Sequence, residues 1–226
     1  MKLALIGYGK MGRMVEEVAA RQSIEVACVL NRVGVVRGQL ADCNVAIEFS
    51  EPSAVLDNLK QAADALLAVV IGTTGWYDKL EEARRIVEAS ALGCVYGSNF
   101  SIGVNLMFKL VRLAAQIIAR HESYDPFIQE AHHRFKKDAP SGTAISLARI
   151  IEDPYNRSIS IASTRAGHIP GTHVVGFDSD ADTLSITHTA RSRAGFAEGA
   201  LVAARWIAGR QGFYEFSDII TDDFEF

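Results

Sequence analysis

The sequence predicts an α/β protein in which a parallel sheet, covered by helices on both faces, precedes a smaller region with a mixed sheet. Three observations lead to this prediction. Short apolar runs alternate with amphipathic stretches over the first half of the chain. Three later strand-like runs follow one another without helices between them. The chain of 226 residues is 49% hydrophobic but only 8% aromatic, a composition that suits an α/β enzyme better than an all-β module.

Strands and helices alternate along the first half. Five apolar runs are predicted as strands, at Leu3–Gly7, Ile24–Leu30, Val45–Ser50, Leu66–Thr74 and Gly93–Asn99. Helical patterns cover Lys10–Gln22 and Asp78–Ser90. Another helix is predicted to begin at Ser50, with Ser50 as its N-cap and Pro52 in its first turn. Continuously apolar strands between helices indicate a parallel sheet that is buried on both faces.

The second half has a different order of elements. It contains a predicted helix at Gly103–Arg120, a strand at Pro126–His133, a helix at Ser141–Ile151, strand-like runs at Ser158–Gly167, Thr172–Asp178 and Thr183–Ala190, and a helix at Phe196–Ile207. Asp180-Ala181-Asp182 is typical of a hairpin turn. This order predicts a second domain with an antiparallel or mixed sheet. We place the first domain at residues 1–100 with 194–226, and the second at residues 101–193.

A glycine-rich turn follows the first predicted strand and opens a helix. Its residues fit the pattern G-x-G-x-x-G and are Gly7, Tyr8, Gly9, Lys10, Met11 and Gly12. Gly7 permits a tight turn, Gly9 lets backbone N–H groups approach a pyrophosphate, and Gly12 allows close packing of helix on strand. The alternative is a glycine-rich turn without a ligand, but the position between strand and helix favours a dinucleotide site.

The end of the second strand predicts the choice of nucleotide. An acidic residue there would bind the ribose 2′-hydroxyl of NAD, but this strand ends in Leu30-Asn31-Arg32. Arg32 could pair with a 2′-phosphate, so we expect NADPH to be favoured or at least accepted. The alternative is that Arg32 is a solvated surface residue, as arginines usually are.

Two further loops lie where strands end, which is where open α/β sheets bind ligands. The first is Gly72-Thr73-Thr74-Gly75, and the second is Gly97-Ser98-Asn99-Phe100. Small and hydroxyl-bearing residues leave room for a nicotinamide ribose and can hydrogen-bond it. Ordinary turn chemistry explains the same residues equally well.

The most unusual segment is EAHHRFKKDAPSGT, which runs from Glu130 to Thr143. It concentrates two histidines, one arginine and two lysines in an acidic chain, and then enters a predicted helix N-terminus. Ser141, Gly142 and Thr143 would offer free backbone N–H groups and a hydroxyl to a carboxylate. A histidine exchanges protons near neutral pH, and a lysine such as Lys136 can serve as a general acid.

Other interpretations of this segment stay open at the level of residues. A run of charge is more often a solvated loop. His132 and His133 would point to opposite faces of a strand, so at most one would face a given site directly unless the strand ends there. A metal site formed by His132, His133 and His188 is disfavoured, because no carboxylate or cysteine completes a set with recognisable spacing.

Composition and hydrophobic patterning argue against several classes of binding partner and cellular location. The formal net charge of −4 offers no global positive field for nucleic acid or anionic lipid. The three cysteines are far apart, so we expect buried thiols rather than disulfides or a zinc site. The N-terminal apolar run is too short for a signal peptide, and no apolar run is long enough to span a membrane. We therefore expect a cytoplasmic protein.

The segment Glu130–Thr143 closely resembles the signature of the 4-hydroxy-tetrahydrodipicolinate reductase (dihydrodipicolinate reductase) family of lysine and diaminopimelate biosynthesis. The resemblance extends over nearly the whole chain. It includes Gly7–Arg13, Ile47–Ser50, Ile71–Gly75, Ser98–Met107, Thr164–Gly167 and Ile186–Gly199. It implies a Rossmann-like nucleotide-binding domain plus an α+β substrate and tetramerisation domain with a mixed sheet, hence a homotetramer.

The resemblance also implies the reaction and the residue roles. The chain would reduce a cyclic dicarboxylate, 4-hydroxy-tetrahydrodipicolinate, with hydride from NADH or NADPH. His132 would donate or accept a proton, and Lys136 would donate one. Substrate carboxylates would be bound by His133, Ser141, Gly142 and Thr143. The cofactor would be lined by residues 7–12, 72–74 and 97–100.

The sequence departs from the family pattern in two places. The region after Arg32 is short and leaves little room for the usual intervening element, and the glycine turn is one residue tighter than in many relatives. Both departures affect the adenosine contacts more than the catalytic ones. Related enzymes act as dehydrogenases on other substrates such as aspartate. A non-catalytic NAD(P)-binding regulator is the alternative from another class, although it need not keep His132 and Lys136 together.

Overall fold

The computed structural model of the chain describes residues 1–220. Two compact units are present among these residues: the first comprises Met1–Ile102 with residues 193–220, and the second comprises Gly103–Ser192. Each unit has its own sheet and hydrophobic core. The predicted α/β class, with a parallel-rich sheet and a mixed sheet, is confirmed. Within the described residues, no helix combines the length and apolarity needed to cross a membrane.

The strands and helices are numbered in chain order. The strands are β1 (Lys2–Ile6), β2 (Glu25–Asn31), β3 (Gly34–Arg37), β4 (Val45–Glu48), β5 (Ala68–Ile71), β6 (Gly93–Tyr96), β7 (Asp125–His132), β8 (Ser160–Arg165), β9 (Thr172–Asp178), β10 (Thr183–Thr189) and β11 (Gly212–Glu215). The α-helices are α1 (Lys10–Arg21), α2 (Val55–Asp64), α3 (Leu80–Ala89), α4 (Ile102–Ile118), α5 (Gly142–Tyr155), α6 (Ala194–Ile207) and α7 (Phe216–Ile219). Short 3-10 turns precede α2 and α3.

The sheet of the first unit has the strand order β11-β6-β5-β4-β1-β2-β3. Its pairs are parallel except that β3 runs antiparallel to β2. Alternate residues of β1 enter two cores, as the period of a strand requires. Leu3 and Leu5 pack in the core that includes α1 and α6, whereas Ala4 and Ile6 pack in the core that includes α2 and α3. Helices on both faces explain why these strands are continuously apolar.

β3 occupies the region where the sequence left little room for an element. It is an edge strand, and Val35 is 63% exposed. The turn that leads into it is held by Asn31, whose Oδ1 accepts the backbone N–H groups of Val33 and Gly34 at 2.8 and 3.2 Å. Because an exposed edge strand buries no face, it carries no apolar alternation from which it could be predicted.

Ser50 is not the N-cap of a helix, so that prediction was wrong. The chain makes a 3-10 turn at Pro52–Ala54 before α2 begins, and Ser50 lies ahead of both. The Ser50 hydroxyl donates instead to the buried carboxylate of Glu48, and its backbone N–H donates to Thr73 Oγ1 at 2.8 Å. A buried carboxylate needs such donors more than a helix end at the surface does. Pro52 does lie in the first turn, as predicted.

The sheet of the second unit has the order β10-β9-β7-β8 and is mixed, because β7 and β8 are parallel while the other pairs are antiparallel. Apolar side chains of this sheet pack on α4 and α5. The predicted hairpin joins β9 to β10, and the Ser179 N–H donates to the Asp182 carbonyl at 2.9 Å. β7 ends at His132, so the segment that follows begins at the C-terminal end of a central strand.

Candidate active site

The glycine turn of the first unit has the geometry that its sequence pattern predicts. Gly7 has a φ of +93°, and a Cβ there would lie 2.1 Å from the carbonyl oxygen of Phe49. A Cβ on Gly12 would lie 2.2 Å from the Gly7 carbonyl oxygen. Only glycine is therefore compatible with these two positions. Gly9 differs, because a Cβ there would meet no described atom within 4 Å, so open space lies beside the N-terminus of α1.

A cavity of about 610 Å³ adjoins this turn. It is walled by the turn itself, by the end of β2 and by the loop after β4, including Tyr8, Arg32, Glu51 and Asn58. Its volume lies in the usual range for small-molecule sites. The open helix N-terminus, the tight backbone and this cavity fit a nucleotide pyrophosphate.

Arg32 lies in the wall of the cavity and pairs with Glu51. Its side chain is 81% exposed. The guanidinium stays accessible to a second anion, although Glu51 already neutralises part of its charge. Tyr8 is held nearby through its hydroxyl, which donates to Glu16, and Arg37 of β3 donates to the same carboxylate at 2.6 Å.

The two other predicted cofactor loops serve partly in the architecture of the first unit. A Cβ on Gly72 would lie 2.1 Å from the Phe49 ring. Thr73 is buried, and its carbonyl accepts the Trp76 indole N–H at 2.8 Å. Phe100 is buried against Phe216, with ring centroids 4.4 Å apart. Thr74, Gly75 and Ser98 are the exposed members of these loops.

The second unit presents a row of polar side chains across its sheet. Glu130 of β7 pairs with Ser163 of β8 and with His173 of β9, and His173 pairs in turn with His188 of β10. Directly paired residues share one face of a sheet, so these four side chains lie side by side. His132 belongs to the same face, because it is two residues from Glu130.

Glu130 is the central charge of this row. Its side chain is fully buried, and Arg165 donates to both carboxylate oxygens, at 2.8 Å to Oε2 and 2.7 Å to Oε1. Burial by itself would raise the pKa of Glu130. Hydrogen bonds from Arg165, Ser163 and His132 outweigh burial and hold the pKa at about 2. The carboxylate is therefore ionised at neutral pH.

His132 meets this carboxylate through one ring nitrogen. The distance from His132 Nδ1 to Glu130 Oε2 is 2.5 Å. A carboxylate with a low pKa can only accept, so Nδ1 carries the hydrogen. His133 lies in the turn after the strand, so strand alternation does not apply to it.

His173 is a buried and neutral neighbour of His132. Burial, followed by the charge of His132, lowers the pKa of His173 to about 4. His173 Nε2 lies 2.9 Å from the hydroxyl of Ser141, and that hydroxyl also accepts the Ala144 N–H at 3.2 Å. The tautomer of His173 sets which of the two groups donates in the contact between Ser141 and His173. The side chain of Ser141 thus caps α5 and joins it to β9.

We expect the chain to lose stability when the pH falls from neutral to about 5. His173 has a folded pKa of about 4, below its ordinary value of 6.5, so the unfolded chain takes up a proton first in this interval. The loss is about 2 kcal/mol, or roughly 4–8 °C in Tm. Thermal unfolding of wild type and His173→Gln at the two pH values checks this, and the variant should lose less.

The pH interval from neutral to about 5 separates the contribution of His173 to stability from that of Glu130. The stabilising charge of Glu130 is lost only as the pH falls below the ordinary pKa of 4.5 toward the folded value of about 2. Replacement of the exposed His121 by glutamine is the matched control and should leave the wild-type drop intact. An equal drop in His173→Gln and wild type would contradict the assignment.

The loop after β7 carries Lys136. Its Nζ lies 2.8 Å from Asp138 Oδ2, and hydrogen bonding to Lys136 lowers the pKa of Asp138. The charge of Lys136 also contributes to the lowered pKa of His173, which places the ammonium near the histidines. The carbonyl of Asp138 accepts from Arg165 at 2.6 Å, so the loop is tied to the Glu130 ion pair.

The loop leads into the N-terminus of α5. Ser141 is the N-cap, and its own backbone N–H donates to Glu130 Oε1 at 3.3 Å. Gly142 and Thr143 are the first residues of the helix, where N–H groups have no intrahelical acceptor. Space beside Gly142 is open, since a Cβ there would meet no described atom within 4 Å. These N–H groups and the Lys136 charge suit an anionic group.

Glu130, His132 and His173 also place three ligand-type atoms within 4.8 Å of one another. This set differs from the His132, His133 and His188 set considered from sequence. A cation would have to compete with Arg165, which already occupies both oxygens of Glu130. The donor set therefore fits an organised proton-transfer group better than a metal site.

Sequence reasoning missed Arg165 and His173 and gave Glu130 no role. Glu130 and His132 alternate along one strand, which was a signal that they share a face. Arg165 and His173 lie far along the chain, and only the pairing of β8 and β9 with β7 brings them to Glu130.

Comparisons with known proteins cover both halves of the chain. Residues 1–100 match the family model described as dihydrodipicolinate reductase, N-terminus, and residues 103–220 match the model for its C-terminus. A 4-hydroxy-tetrahydrodipicolinate reductase of Christiangramia forsetii is 37% identical over 239 residues, covering 100% of both chains. One from Ralstonia pickettii is 34% identical, covering 97% of this chain and 99% of the relative.

A solved structure has the same fold. The dipicolinate-bound dihydrodipicolinate reductase from Paenisporosarcina sp. TG-14 superposes with a TM-score of 0.82 at 23% identity, covering 97% of this chain and 99% of that one. The matches in sequence run end to end and include the segment that carries His132 and Lys136. The chain belongs to the dihydrodipicolinate reductase family.

Proposed function

We propose that the chain reduces 4-hydroxy-tetrahydrodipicolinate to tetrahydrodipicolinate with a nicotinamide nucleotide, as a step of lysine and diaminopimelate biosynthesis. The observation that carries this proposal is the Glu130–His132 pair beside Lys136 and the N-terminus of α5, in a chain matched to the family over both halves. Family membership favours this substrate over aspartate.

The balance of the reaction defines what the protein must supply. In this reaction a hydrogen replaces the 4-hydroxyl group of the substrate. A hydride brings that hydrogen together with two electrons, and the hydroxyl group takes up one proton and leaves as water. A nicotinamide nucleotide, when bound, supplies the hydride. The protein must therefore hold a dianionic substrate and provide a proton.

Residues of the second unit match these needs. Backbone N–H groups of Gly142 and Thr143 would bind a carboxylate at the start of α5, with His133 as a further donor. Ser141 would act through its cap of that helix, because its hydroxyl is engaged by Ala144 and His173. Lys136 would attract the dianion and donate a proton, and His132 would donate or accept one through Nε2.

Residues of the first unit would hold the nucleotide. The turn at residues 7–12 would bind the pyrophosphate, with Lys10 and Met11 in the first turn of α1. Gly72, Thr73 and Thr74, and the loop from Gly97 through Ser98 and Asn99 to Phe100, would line the nicotinamide end. Their small residues and exposed hydroxyls support this assignment.

A turnover assay with freshly prepared substrate and each reduced nucleotide tests the proposal. Loss of nucleotide absorbance that depends on substrate supports it. Nucleotide binding without oxidation would favour a non-catalytic regulator instead. The homotetramer and the cytoplasmic location are proposals that rest on the family resemblance alone, and light scattering should give four times the chain mass of 24.6 kDa.

We expect Arg32→Ala to reduce the preference for NADPH over NADH. Arg32 lies in the cavity wall, and its pairing with Glu51 leaves most of the side chain exposed. Loss of one charge-assisted contact to a 2′-phosphate should lower the ratio of kcat/KM for the two nucleotides by roughly tenfold. Arg21→Ala removes an arginine from an exposed pair on the far end of α1 and should leave the ratio unchanged. An unchanged ratio in Arg32→Ala would refute the role.

A further inference from the structure

Glu130 is built to hold one imidazole in one orientation. The carboxylate is buried, and Arg165 fixes its plane with two hydrogen bonds. The Ser141 N–H at 3.3 Å, His132 Nδ1 at 2.5 Å and the side chain of Ser163 complete the hydrogen bonds to the carboxylate. The Glu130 side chain has no exposed surface, so it is not accessible to a substrate.

The orientation of His132 follows from this contact. With the hydrogen on Nδ1, the other nitrogen, Nε2, is the one that can exchange a proton. Nε2 lies toward Gly171, where a Cβ would be only 3.1 Å away. Gly171 has a φ of +140°, so the chain there combines a glycine-only backbone with a close approach to the ring. The imidazole of His132 thus lies between the Glu130 carboxylate and the backbone of Gly171.

The other charged or titratable groups around His132 complete the arrangement. Arg165 comes from β8, His173 from β9, and Lys136 from the loop after β7. The rings of His132 and His173 have centroids 5.1 Å apart and an interplanar angle of 71°. Because His173 is tied to Ser141 and neutral, it leaves Glu130 to pair with His132.

We propose that Glu130, anchored by Arg165, is a positioning residue that fixes the tautomer and orientation of His132 so that Nε2 carries the proton of the reaction. This inference rests on the proposed function and adds two residues to it. The logic is that of a carboxylate–imidazole pair, in which the carboxylate orients the ring and is not itself protonated. Neither Glu130 nor Arg165 needs to touch the substrate.

The test replaces Glu130 by glutamine and measures both turnover and the state of the ring. Glutamine has an NH2 donor in place of one carboxylate oxygen, so it cannot accept both hydrogen bonds of Arg165, and it has no negative charge to hold the hydrogen on His132 Nδ1. We expect kcat of Glu130→Gln to fall roughly 10- to 100-fold with KM nearly unchanged. The pH profile of kcat should also change shape. Glu152→Gln, on α5, makes the same chemical change at a carboxylate that binds the Ile159 N–H and should behave as wild type.

Nitrogen NMR of histidine-labelled protein separates positioning from mere structural support. At a pH well above the usual histidine range, His132 in wild type should show the tautomer with hydrogen on Nδ1. Its signal is assigned by its absence in His132→Gln. In Glu130→Gln the signal should move toward the other tautomer, which a purely structural role would not require.

Each outcome decides the inference separately from the function. Full kcat in folded Glu130→Gln would overturn it, as would wild-type protein with the hydrogen of His132 on Nε2. The second result needs no variant, so the inference stays testable if Glu130→Gln does not fold. If wild type fails to turn over the substrate, the proposed function fails, while the tautomer measurement still reports on Glu130 and His132.

Discussion

His132→Asn is expected to lower kcat by roughly 10²–10⁴-fold, the range for loss of a general acid or base. Asparagine keeps a polar group near Glu130 but cannot exchange a proton near neutral pH. The reason is specific to this fold, because β7 ends at His132 and places its ring against a carboxylate that stays ionised. Steady-state kinetics with saturating nucleotide measure the effect. KM should change less than kcat, since substrate carboxylates are assigned to other groups.

The control for this variant is His121→Asn, which alters an exposed histidine of the same unit. It should retain wild-type kcat. Circular dichroism and thermal unfolding of both variants establish that any loss is not a loss of fold. Near-normal turnover by folded His132→Asn would remove His132 from the reaction and would leave Glu130 without a function to support.

Lys136→Ala is expected to lower kcat by a similar factor of roughly 10²–10⁴, and in addition to raise KM. Two effects combine, because an ammonium both donates a proton and attracts a dianionic substrate. Asp138 lies 2.8 Å from Nζ and holds the ammonium in place. Initial rates over a range of substrate concentrations separate the two effects, since lost attraction appears in KM and lost proton donation appears in kcat.

Lys137→Ala is the matched control, because it removes the same charge one position along the loop from an exposed side chain. A general electrostatic role of the loop would lower the activity of both variants alike. A role of Lys136 itself lowers only the first. Normal turnover by Lys136→Ala would contradict the assignment of a proton donor.

Strands of the first unit could be predicted from the sequence where side chains are buried, and were missed where they are half-buried or exposed. Strands covered on both faces, such as β4 and β5, are fully buried and appear in the sequence as apolar runs between helices. β3 was not predicted because all four of its residues are exposed. β11 was also missed, since its residues are half-buried or exposed and it joins the sheet only by pairing with β6.

The candidate site divides in the same way. The glycine turn could be predicted because Gly7 and Gly12 each meet a local backbone requirement, as their close approaches to neighbouring backbone atoms demonstrate. His132, Lys136 and the start of α5 belong to one continuous segment with an unusual composition. Ser141 was predicted at the start of a helix and is the N-cap of α5, but its hydroxyl contacts His173, which lies 32 residues along the chain.

By itself, the sequence determined the alternation of strands and helices, the glycine turn and the family. These depend on local periodicity and on motifs within a few residues of one another. Only the tertiary structure decided the neighbours of Glu130. Its charge state depends on Arg165 and Ser163, which reach Glu130 through the pairing of β8 with β7, and its contact with His132 orients that ring. Strand register, which is set by packing of the whole unit, is not encoded in any short segment.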